Sequence, residues 1–256
     1  MISLKIHFFA DKTARAQQAL KELHRFHKPV PIEDADYWVV LGGDGFLLRH
    51  LHIGLNHNSV KIFGINCGTL GFLMNEFNLK KLEERLLKAT VIKLNPLVME
   101  AIDTDDVSHV YHAINEVSML RHSSQAAHLK ISVDSKVQLR RLICDGVLVA
   151  TPAGSTAYNY SAHGPIIPLR ANVLAMTPLS PFRPRRWRGA LLEQSACVEV
   201  YILDPKKRPV SAVADFNEVK NVKKVTIQQS KEKSLSLLFD QESSLDARIL
   251  KEQFGE

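Results

Sequence analysis

In Val39-Val40-Leu41-Gly42-Gly43-Asp44-Gly45, an apolar run ends in three glycines that surround a single carboxylate. The run from Tyr37 to Leu41 is continuously apolar, which predicts a buried strand of a parallel sheet. Glycines just beyond such a strand permit a tight turn and a close approach of a charged ligand to the backbone amides. The residues from Phe46 onward have helical spacing, so Gly45 is expected at a helix N-terminus, a position that favours anions. Asp44 would repel a phosphate there unless it accepts a proton from a substrate hydroxyl or faces a metal ion.

A second unit of the same kind follows within the first 95 residues. Lys61–Ile65 is a short apolar strand, and the loop Asn66–Leu73 after it again contains glycines. The other elements expected in this half are a first strand, a helix capped by Asp11 or Thr13 that buries Phe26, and a charged helix; they span Leu4–Ala10, Ala14–Phe26 and Leu79–Ala89. Strands that alternate with helices predict an open α/β sheet whose ligand lies at the carboxyl ends of the strands.

The pattern changes near Asn95-Pro96. Apolar and polar residues then alternate with a period of two, which predicts an antiparallel β-rich region. The segments are Val98–Ile102, Ser108–Val117, Ala127–Val133, Val137–Leu142, Cys197–Leu203, Val210–Ala214 and Val222–Gln228. A last strand, Leu235–Phe239, and a helix through Leu250 return to the α/β pattern. We therefore expect an N-terminal α/β domain (1–95, joined by 235–256) and a C-terminal β-sandwich-like domain (96–234).

The composition is that of a soluble globular protein. Apolar residues make up 45% and charged residues 23% of the chain. The net charge of +6 suits partners such as nucleotides, although a solvated basic surface gives the same balance. Cys67, Cys144 and Cys197 lie far apart without metal-ligand spacing, so we expect reduced cysteines in a cytoplasmic protein. No signal peptide and no apolar run of roughly 18 residues is visible, which predicts that the protein does not enter a membrane.

A further informative stretch runs from Asp145 to Ser161. A buried strand leads into Pro152 and Gly154, and hydroxyl residues then open an expected helix, with Ser155 and Thr156 as candidate N-caps. Two interpretations stay open for this stretch alone. It is either a capped helix after a strand or a loop whose amides, hydroxyls and aromatic ring contact a nucleotide.

Five motifs stand in order between residues 39 and 217: Gly42–Gly45, Gly64–Leu73, Asn115-Glu116, Asp145–Tyr158 and Thr177–Pro181. Together they resemble the NAD kinase family in its bacterial form, whose first motif is shared with a wider superfamily of kinases that carry Gly-Gly-Asp-Gly. The chain departs from the usual family residues at Phe46, Ala153 and Phe216-Asn217, which bears on donor preference. It contains neither a G-x-x-x-x-G-K-[ST] loop nor a G-x-G-x-x-G fingerprint.

The resemblance implies that the terminal phosphoryl group of ATP is transferred, with a divalent metal such as Mg²⁺, to the 2′-hydroxyl of the adenosine ribose of NAD. NAD would lie in the cleft between the two domains, and Asp44 would accept the hydroxyl proton. Asn115 and Glu116 would hold the nicotinamide half, and Asp145 would bind NAD directly. The other implied nucleotide contacts are Gly45, Arg49, Ala153, Thr156, Ala157, Tyr158, Asn159, Tyr160, Ser161 and Asn217. The sequence assigns no metal ligand, because the histidines lack ligand spacing.

Three other functions would require different sequence features. A lipid kinase would show a membrane-facing apolar surface and a different motif at Thr151–Tyr158. A non-catalytic nucleotide sensor would not need Asp44. A nucleic-acid binder would interleave aromatic and basic residues. The sequence leaves open ATP or polyphosphate as donor, NAD or NADH as acceptor, regulation by the product, a homodimer or a homotetramer, and the role of the basic run Arg183–Arg188.

Overall fold

The computed structural model of the protein describes residues 4–241 except residues 58, 70 and 186. In chain order the strands and helices are β1 (Ile6–Ala10), α1 (Ala14–Leu23), β2 (Tyr37–Gly42), α2 (Asp44–Gly54), β3 (Lys61–Asn66), α3 (Leu82–Lys88), β4 (Thr90–Leu94), β5 (Leu97–Asp103), β6 (Ser108–Ala113), β7 (Glu116–Arg121), β8 (Ala127–Val133), β9 (Lys136–Cys144), β10 (Gly146–Ala150), α4 (Tyr158–Ser161), β11 (Val173–Leu179), β12 (Ala190–Glu193), β13 (Val198–Ile202), β14 (Val210–Ala214), β15 (Asn217–Val219), β16 (Val222–Gln229) and β17 (Leu235–Phe239). The helix expected to run through Leu250 lies outside the described residues.

The chain forms two compact units. Of the described residues, those up to Leu94 together with 233–241 make the first unit, and Asn95–Glu232 make the second. The first unit holds a five-stranded sheet in the order β1-β2-β3-β17-β4. Its first four strands run parallel, and β4 is antiparallel to β17. The prediction of an α/β sheet in this part of the chain is therefore confirmed.

Burial explains why the apolar run before the glycines is a strand. All six residues of β2 are buried, as expected for a strand that lies between parallel neighbours with helices packed against the sheet. On one face, α1 and α3 contribute Ala16, Leu23, Leu82 and Leu86 to the core that β2 shares. A strand of this kind reads as continuously apolar because neither face meets solvent.

Two helices of the first unit differ in length from their predictions. Thr13 caps α1, and its Oγ1 accepts the N–H of Ala16 at 3.4 Å, as predicted. The helix ends at Leu23, however, and Phe26 is 78% exposed, so the prediction that Phe26 lies on the buried face is wrong. The amides of Arg25 and Phe26 bond to the carbonyls three residues earlier, which tightens and ends the helix. Helix α3 begins only at Leu82, because Lys81 adopts a left-handed backbone (φ 52°) that a right-handed helix cannot continue.

The second unit consists of two six-stranded antiparallel sheets. One sheet has the order β12-β11-β10-β7-β14-β15 and the other β6-β5-β16-β13-β8-β9. Inward-facing residues of both sheets form one apolar core, in which Val117, Met119 and Val149 from the first sheet meet Leu129 and Val200 from the second. The predicted antiparallel β-rich region is confirmed.

The single strand predicted over Ser108–Val117 is wrong. The chain leaves one sheet at Ala113, the end of β6, and enters the other sheet at Glu116, the start of β7. Alternation of apolar and polar residues continues across the break, so the pattern alone does not show it. Four strands were not predicted at all: Thr90–Leu94, Val173–Leu179, Ala190–Glu193 and Asn217–Val219.

The cysteines agree with the expectation of reduced thiols. Cys67, Cys144 and Cys197 are all free. Among the residues that the structure describes, no helix combines the length and the hydrophobicity that crossing a bilayer requires.

Candidate active site

In the first unit, the fold places Asp44 at the start of a helix. β2 ends at Gly42, Gly43 is the N-cap of α2, and Asp44 lies in the first helical turn. The Asp44 Oδ2 atom accepts the N–H of Phe72 at 2.7 Å, and Oδ1 accepts the N–H of Leu73 at 3.2 Å. Because each carboxylate oxygen is bonded to a different backbone amide, the plane of the carboxylate is fixed. The glycine turn and the loop after β3 therefore act together to orient one acid.

The loop that supplies these amides is anchored at both ends. Cys67 N–H donates to the carbonyl of Gly42 at 2.7 Å, which ties the loop to the glycine turn. At the far end, the fully buried Asn75 donates its side-chain amide to the carbonyls of Gly64 and Leu238, both at 3.0 Å. Asn75 also accepts the N–H of Asp240 through Oδ1. Sequence reasoning missed Asn75, although an asparagine shortly after a glycine loop is a signal for a backbone anchor.

Three glycines near Asp44 differ in the space around them. A Cβ atom at Gly71 would lie 3.1 Å from the Asp44 Oδ1 atom and 3.0 Å from the Met74 side chain. At Gly43 or Gly45 an added Cβ would meet nothing within 4 Å. The absence of a side chain at Gly71 thus permits close contact with Asp44, whereas Gly45, at the helix N-terminus as predicted, faces open space. Arg49 is exposed one turn further along α2.

In the second unit, a turn between the two sheets carries Asn115 and Glu116. Their backbone amides and that of Ile114 all donate to the carboxylate of Asp215, at distances of 2.7 to 3.2 Å. From the other side, Thr151 donates its hydroxyl to the carbonyl of Ile114 at 2.6 Å and its N–H to the carbonyl of Asn115 at 2.9 Å. The turn is therefore held by residues from two distant parts of the chain.

Polar atoms of this turn are buried without a hydrogen-bond partner. They are Oδ1 of Asn115 and Oε2 of Glu116, two of the three such side-chain atoms found among the described residues. Burial, and then the neighbouring charge of Asp215, raise the pKa of Glu116 from 4.5 to about 8. Buried polar atoms in folded proteins are nearly always paired, so two adjacent unpaired ones mark a place where a ligand is expected to supply the partner.

The stretch predicted as a capped helix after Pro152 has a different structure. Residues Ala153–Thr156 form a 3₁₀ turn, and α4 is a single helical turn at Tyr158–Ser161; neither has a side-chain N-cap. Ser155 is fully buried, and its hydroxyl contacts the carbonyls of Pro152 and Ile167. The N-cap prediction is therefore wrong for both Ser155 and Thr156, because the Ser155 side chain points into the unit and the N-cap position of α4 is occupied by Ala157.

Gly154 permits the close approach of this loop to the Asn115–Glu116 turn. A Cβ atom at Gly154 would lie 2.1 Å from the carbonyl oxygen of Asn115. Ala153 is buried beside it, and Thr156 and Ala157 are half-buried. The structure therefore brings the third and fourth of the five motifs, Asn115-Glu116 and Asp145–Tyr158, into direct contact.

The remaining members of this loop fall into two groups. Asn159 is fully buried; its amide donates to the carbonyls of Ser155 and Pro165, and its Oδ1 accepts the hydroxyl of Thr177 at 2.7 Å. That geometry makes Asn159 a support of the loop. Tyr160 and Ser161 are exposed.

Tyr158 lies between two acids that are themselves well separated. Its ring packs against the apolar cluster of Leu148, Ala150 and Leu179. Burial, and then the charges of Glu116 and Asp145, raise the pKa of its phenol. Glu116 pairs with Ala150 at one end of β10, and Asp145 precedes the other end, roughly 17 Å away along a strand. Asp145 also forms an ion pair with Arg121, so the structure does not bring it next to the Asn115–Glu116 turn.

The two last predicted features are Asn217 and the basic run. Asn217 begins β15 and is half-buried in the β14–β15 hairpin. In the basic run, Arg183 and Arg185 lie over the ring of the exposed Phe182. Arg186 is outside the described residues.

The described side chains do not include a cluster of metal ligands. Within the described part of the chain, no three His, Cys, Asp or Glu side chains are grouped so that they could hold a metal ion. Mg²⁺ in phosphoryl-transfer sites is typically bound through one or two carboxylates and the phosphates of the substrate. The residues present therefore fit a metal that arrives with a nucleotide, and they do not form a protein cage for one.

Family models and individual relatives both point to the ATP-NAD kinase family. The model of the ATP-NAD kinase N-terminal domain matches residues 5–91, and that of the ATP-NAD kinase C-terminal domain matches residues 114–243. The NAD kinase of Brucella melitensis is 52% identical over 98% of both chains, and that of Zymomonas mobilis is 49% identical over 96% of this chain and 95% of its own.

Two solved structures share the fold. Yeast NADH kinase complexed with NADH has a TM-score of 0.83 at 23% identity, covering 99% of this chain and 88% of the yeast chain. An NAD kinase from Archaeoglobus fulgidus in complex with ATP has a TM-score of 0.75 at 23% identity, covering 98% of both chains.

Proposed function

The chain belongs to the ATP-NAD kinase family and phosphorylates NAD to NADP with ATP, and we propose that Asp44 is the residue that accepts the proton of the 2′-hydroxyl. The observation that carries this proposal is the geometry of Asp44, whose two oxygens are each bonded to a backbone amide of the same loop. A carboxylate has about four acceptor positions, so anchoring by two amides is compatible with accepting a hydroxyl proton.

Phosphoryl transfer requires positioning and charge stabilisation more than covalent participation of the protein. One base within hydrogen-bond reach of the attacking hydroxyl is the group that the protein must add. The amides at the start of α2 and in the glycine turn are suited to an anionic phosphate. A bound Mg²⁺ would neutralise charge on the phosphate oxygens, and the phosphates themselves, with the carboxylate of Asp44 nearby, would hold it.

In the second unit we assign the acceptor nucleotide to the Asn115–Glu116 turn and the loop beside it. The unpaired Oδ1 of Asn115 and Oε2 of Glu116 support this assignment, because hydroxyl and amide groups of NAD are suitable partners. Tyr158 supplies the aromatic face. The further contacts proposed from the family resemblance are Gly45, Arg49, Asp145, Ala153, Thr156, Ala157, Asn159, Tyr160, Ser161 and Asn217.

The substitution Asp44→Asn tests the proposal. It keeps the size of the side chain but removes the base, so we expect kcat to fall by at least roughly 100-fold while NAD affinity stays within a few-fold. The measurement is a coupled assay of NADP formation together with calorimetric titration of NAD. Glu22→Gln, an exposed acid on α1, is the control and should leave both unchanged. Normal turnover by Asp44→Asn would remove Asp44 from the role of base.

Several finer properties stay predictions from the family resemblance. They are a divalent metal requirement, assembly as a homodimer or homotetramer, and a cytoplasmic location. An assay of ATP and polyphosphate against NAD and NADH, with and without a chelator, addresses the substrates and the metal. Light scattering after size-exclusion chromatography addresses the assembly.

A further inference from the structure

We propose that Asp215 is a positioning residue for the acceptor nucleotide, because its carboxylate holds the Asn115–Glu116 turn in the conformation that contacts NAD. The inference rests on the proposed function, in which this turn contacts the nucleotide. It adds a residue that the sequence motifs did not assign.

The first observation is the number of donors that meet this carboxylate. Oδ2 accepts the N–H of Ile114 at 2.7 Å, and Oδ1 accepts those of Asn115 at 3.0 Å and Glu116 at 3.2 Å. In return, the N–H of Asp215 donates to the carbonyl of Glu116 at 3.1 Å. Successive backbone amides that point at one anion form a strong site for negative charge, and hydrogen bonds to an ionised acceptor are about twice as strong as neutral ones.

The second observation explains why the fold needs this arrangement. The chain crosses from one sheet to the other between Ala113 and Glu116, and β-sheet pairing on β6 and β7 ends at those two residues. Amides in such a crossing lack ladder partners, and leaving them buried and unpaired would be costly. Asp215 reaches them from the β14–β15 hairpin, where it adopts a left-handed backbone (φ 53°). Aspartate tolerates that conformation better than most residues.

The third observation links Asp215 to the chemistry of the turn. Its charge is the second cause, after burial, of the raised pKa of Glu116. The Tyr158 phenol also interacts with Glu116, and Asp145 acts in turn on Tyr158. Asp215 therefore has two separable effects: it fixes the backbone of the turn, and it favours the neutral form of the Glu116 carboxyl.

The experiment replaces Asp215 by Asn and measures steady-state kinetics for both substrates across pH. Asn is isosteric, but its NH₂ group cannot accept a hydrogen bond, so one edge of the carboxylate loses its acceptor. We expect KM for NAD to rise by roughly 10- to 100-fold, with kcat and KM for ATP within a few-fold of wild type. The pKa of Glu116 is raised to about 8, so we also expect KM for NAD of the wild type to change near that pH, and we expect this change to move to lower pH in Asp215→Asn.

A neighbouring acid provides the matched control. Glu218 lies three residues further along the same hairpin and accepts the hydroxyl of Ser211. Glu218→Gln should leave the NAD kinetics and the pH profile unchanged. If Asp215→Asn and Glu218→Gln alter KM for NAD equally, the effect belongs to the hairpin in general and the positioning role of Asp215 is wrong.

Two further measurements distinguish an error in the nucleotide assignment from an error in the role of Asp215. Glu116→Gln tests the proposed function separately: an unchanged KM for NAD in that variant would overturn the nucleotide assignment itself, whereas a raised KM there with no change in Asp215→Asn would overturn only the present inference. Hydrogen exchange of the wild-type protein needs no variant. The amides of Ile114–Glu116 should exchange as slowly as those of β7, and fast exchange would contradict their capture by Asp215.

Discussion

Two acidic residues, Asp44 in the first unit and Glu116 in the second, differ in their hydrogen-bond partners and in the protonation state that their surroundings favour. Asp44 lies at a helix N-terminus, where amides of Phe72 and Leu73 bind its oxygens. Glu116 has an Oε2 atom that is buried without a partner, and its pKa is raised to about 8. The first environment orients a carboxylate, and the second favours a neutral carboxyl group. Carboxyls whose environments differ in this way commonly take different roles in one reaction.

The supports of the two acids differ as well. Asp44 is held by the loop after β3, in which Phe72 and Leu73 lie 28 and 29 residues further along the chain. The Asn115–Glu116 turn is held by Asp215, about 100 residues away, and by Thr151. The second site is also packed more closely, since Gly154 lies against the Asn115 backbone whereas Gly45 faces open space. The comparison teaches that the turn depends more on global folding than the glycine signature does.

The largest effect on stability is expected from the addition of one methyl group at Gly154. A Cβ atom there would lie 2.1 Å from the Asn115 carbonyl oxygen, a distance that only backbone movement can relieve. Gly154→Ala should lower the free energy of unfolding by about 3 kcal/mol or more, measured by urea titration. Gly45→Ala is the counterpart in the first unit, and a helical glycine with open space should give unchanged or slightly higher stability. Equal stability of the two variants would contradict the difference in packing.

The next largest effect is expected on the pH dependence of the free energy of unfolding, to which the carboxyl of Glu116 contributes. The pKa of Glu116 is about 8 in the folded protein against an ordinary value of 4.5. Between these two values the unfolded chain releases a proton that the folded chain keeps, so this residue makes stability fall as pH rises, and above pH 8 the cost is constant. Glu116→Gln removes that contribution. Its stability relative to wild type should therefore increase between pH 5 and pH 8, by an amount on the order of 3 kcal/mol.

The pH series has a direct control. Glu22→Gln, which alters an exposed acid, should show a difference from wild type that does not change with pH. A pH-independent difference for Glu116→Gln would mean that the carboxyl of Glu116 titrates as an ordinary glutamate.

Much of the fold could be predicted from the sequence, because the signals are local. Continuous apolar runs gave β2 and β3, and a period of two gave β8, β14 and β16 with errors of a residue at most. The errors arise where tertiary contacts decide. The break between β6 and β7 depends on Asp215, and no periodicity records it. The strand at Val173–Leu179 contains Pro178 and is almost entirely buried, so it lacks the alternation from which a strand is predicted.

The candidate site divides in the same way. Asp44 and Gly45 were placed correctly at the start of α2, because an apolar run followed by glycines is a local signal for a strand, a turn and a helix. Asn75 and Asp215 were missed as supports. Each is an ordinary turn residue in the sequence, and only the long-range hydrogen bonds to Leu238 and Ile114 reveal what it does. Ser155 was misplaced for the converse reason, since a good N-cap residue was buried by the fold instead.

The smallest effect is expected on kcat, from a substitution at Gly71. This substitution disturbs the orientation of the Asp44 carboxylate without removing the carboxylate. A Cβ atom at Gly71 would lie 3.1 Å from the Asp44 Oδ1 atom, a distance that a shift of a few tenths of an ångström relieves. Gly71→Ala should therefore lower kcat by roughly tenfold and leave KM for NAD within a few-fold, because a small displacement of a catalytic group costs rate without removing it. Gly68→Ala in the same loop, where the Cβ atom would meet only the Asn66 side chain at 3.5 Å, is the control and should keep wild-type kinetics. If Gly71→Ala matched this control, the contact between the loop and Asp44 would not set the reaction rate. A loss as large as that of Asp44→Asn would instead show that the orientation given by the loop matters as much as the carboxylate itself.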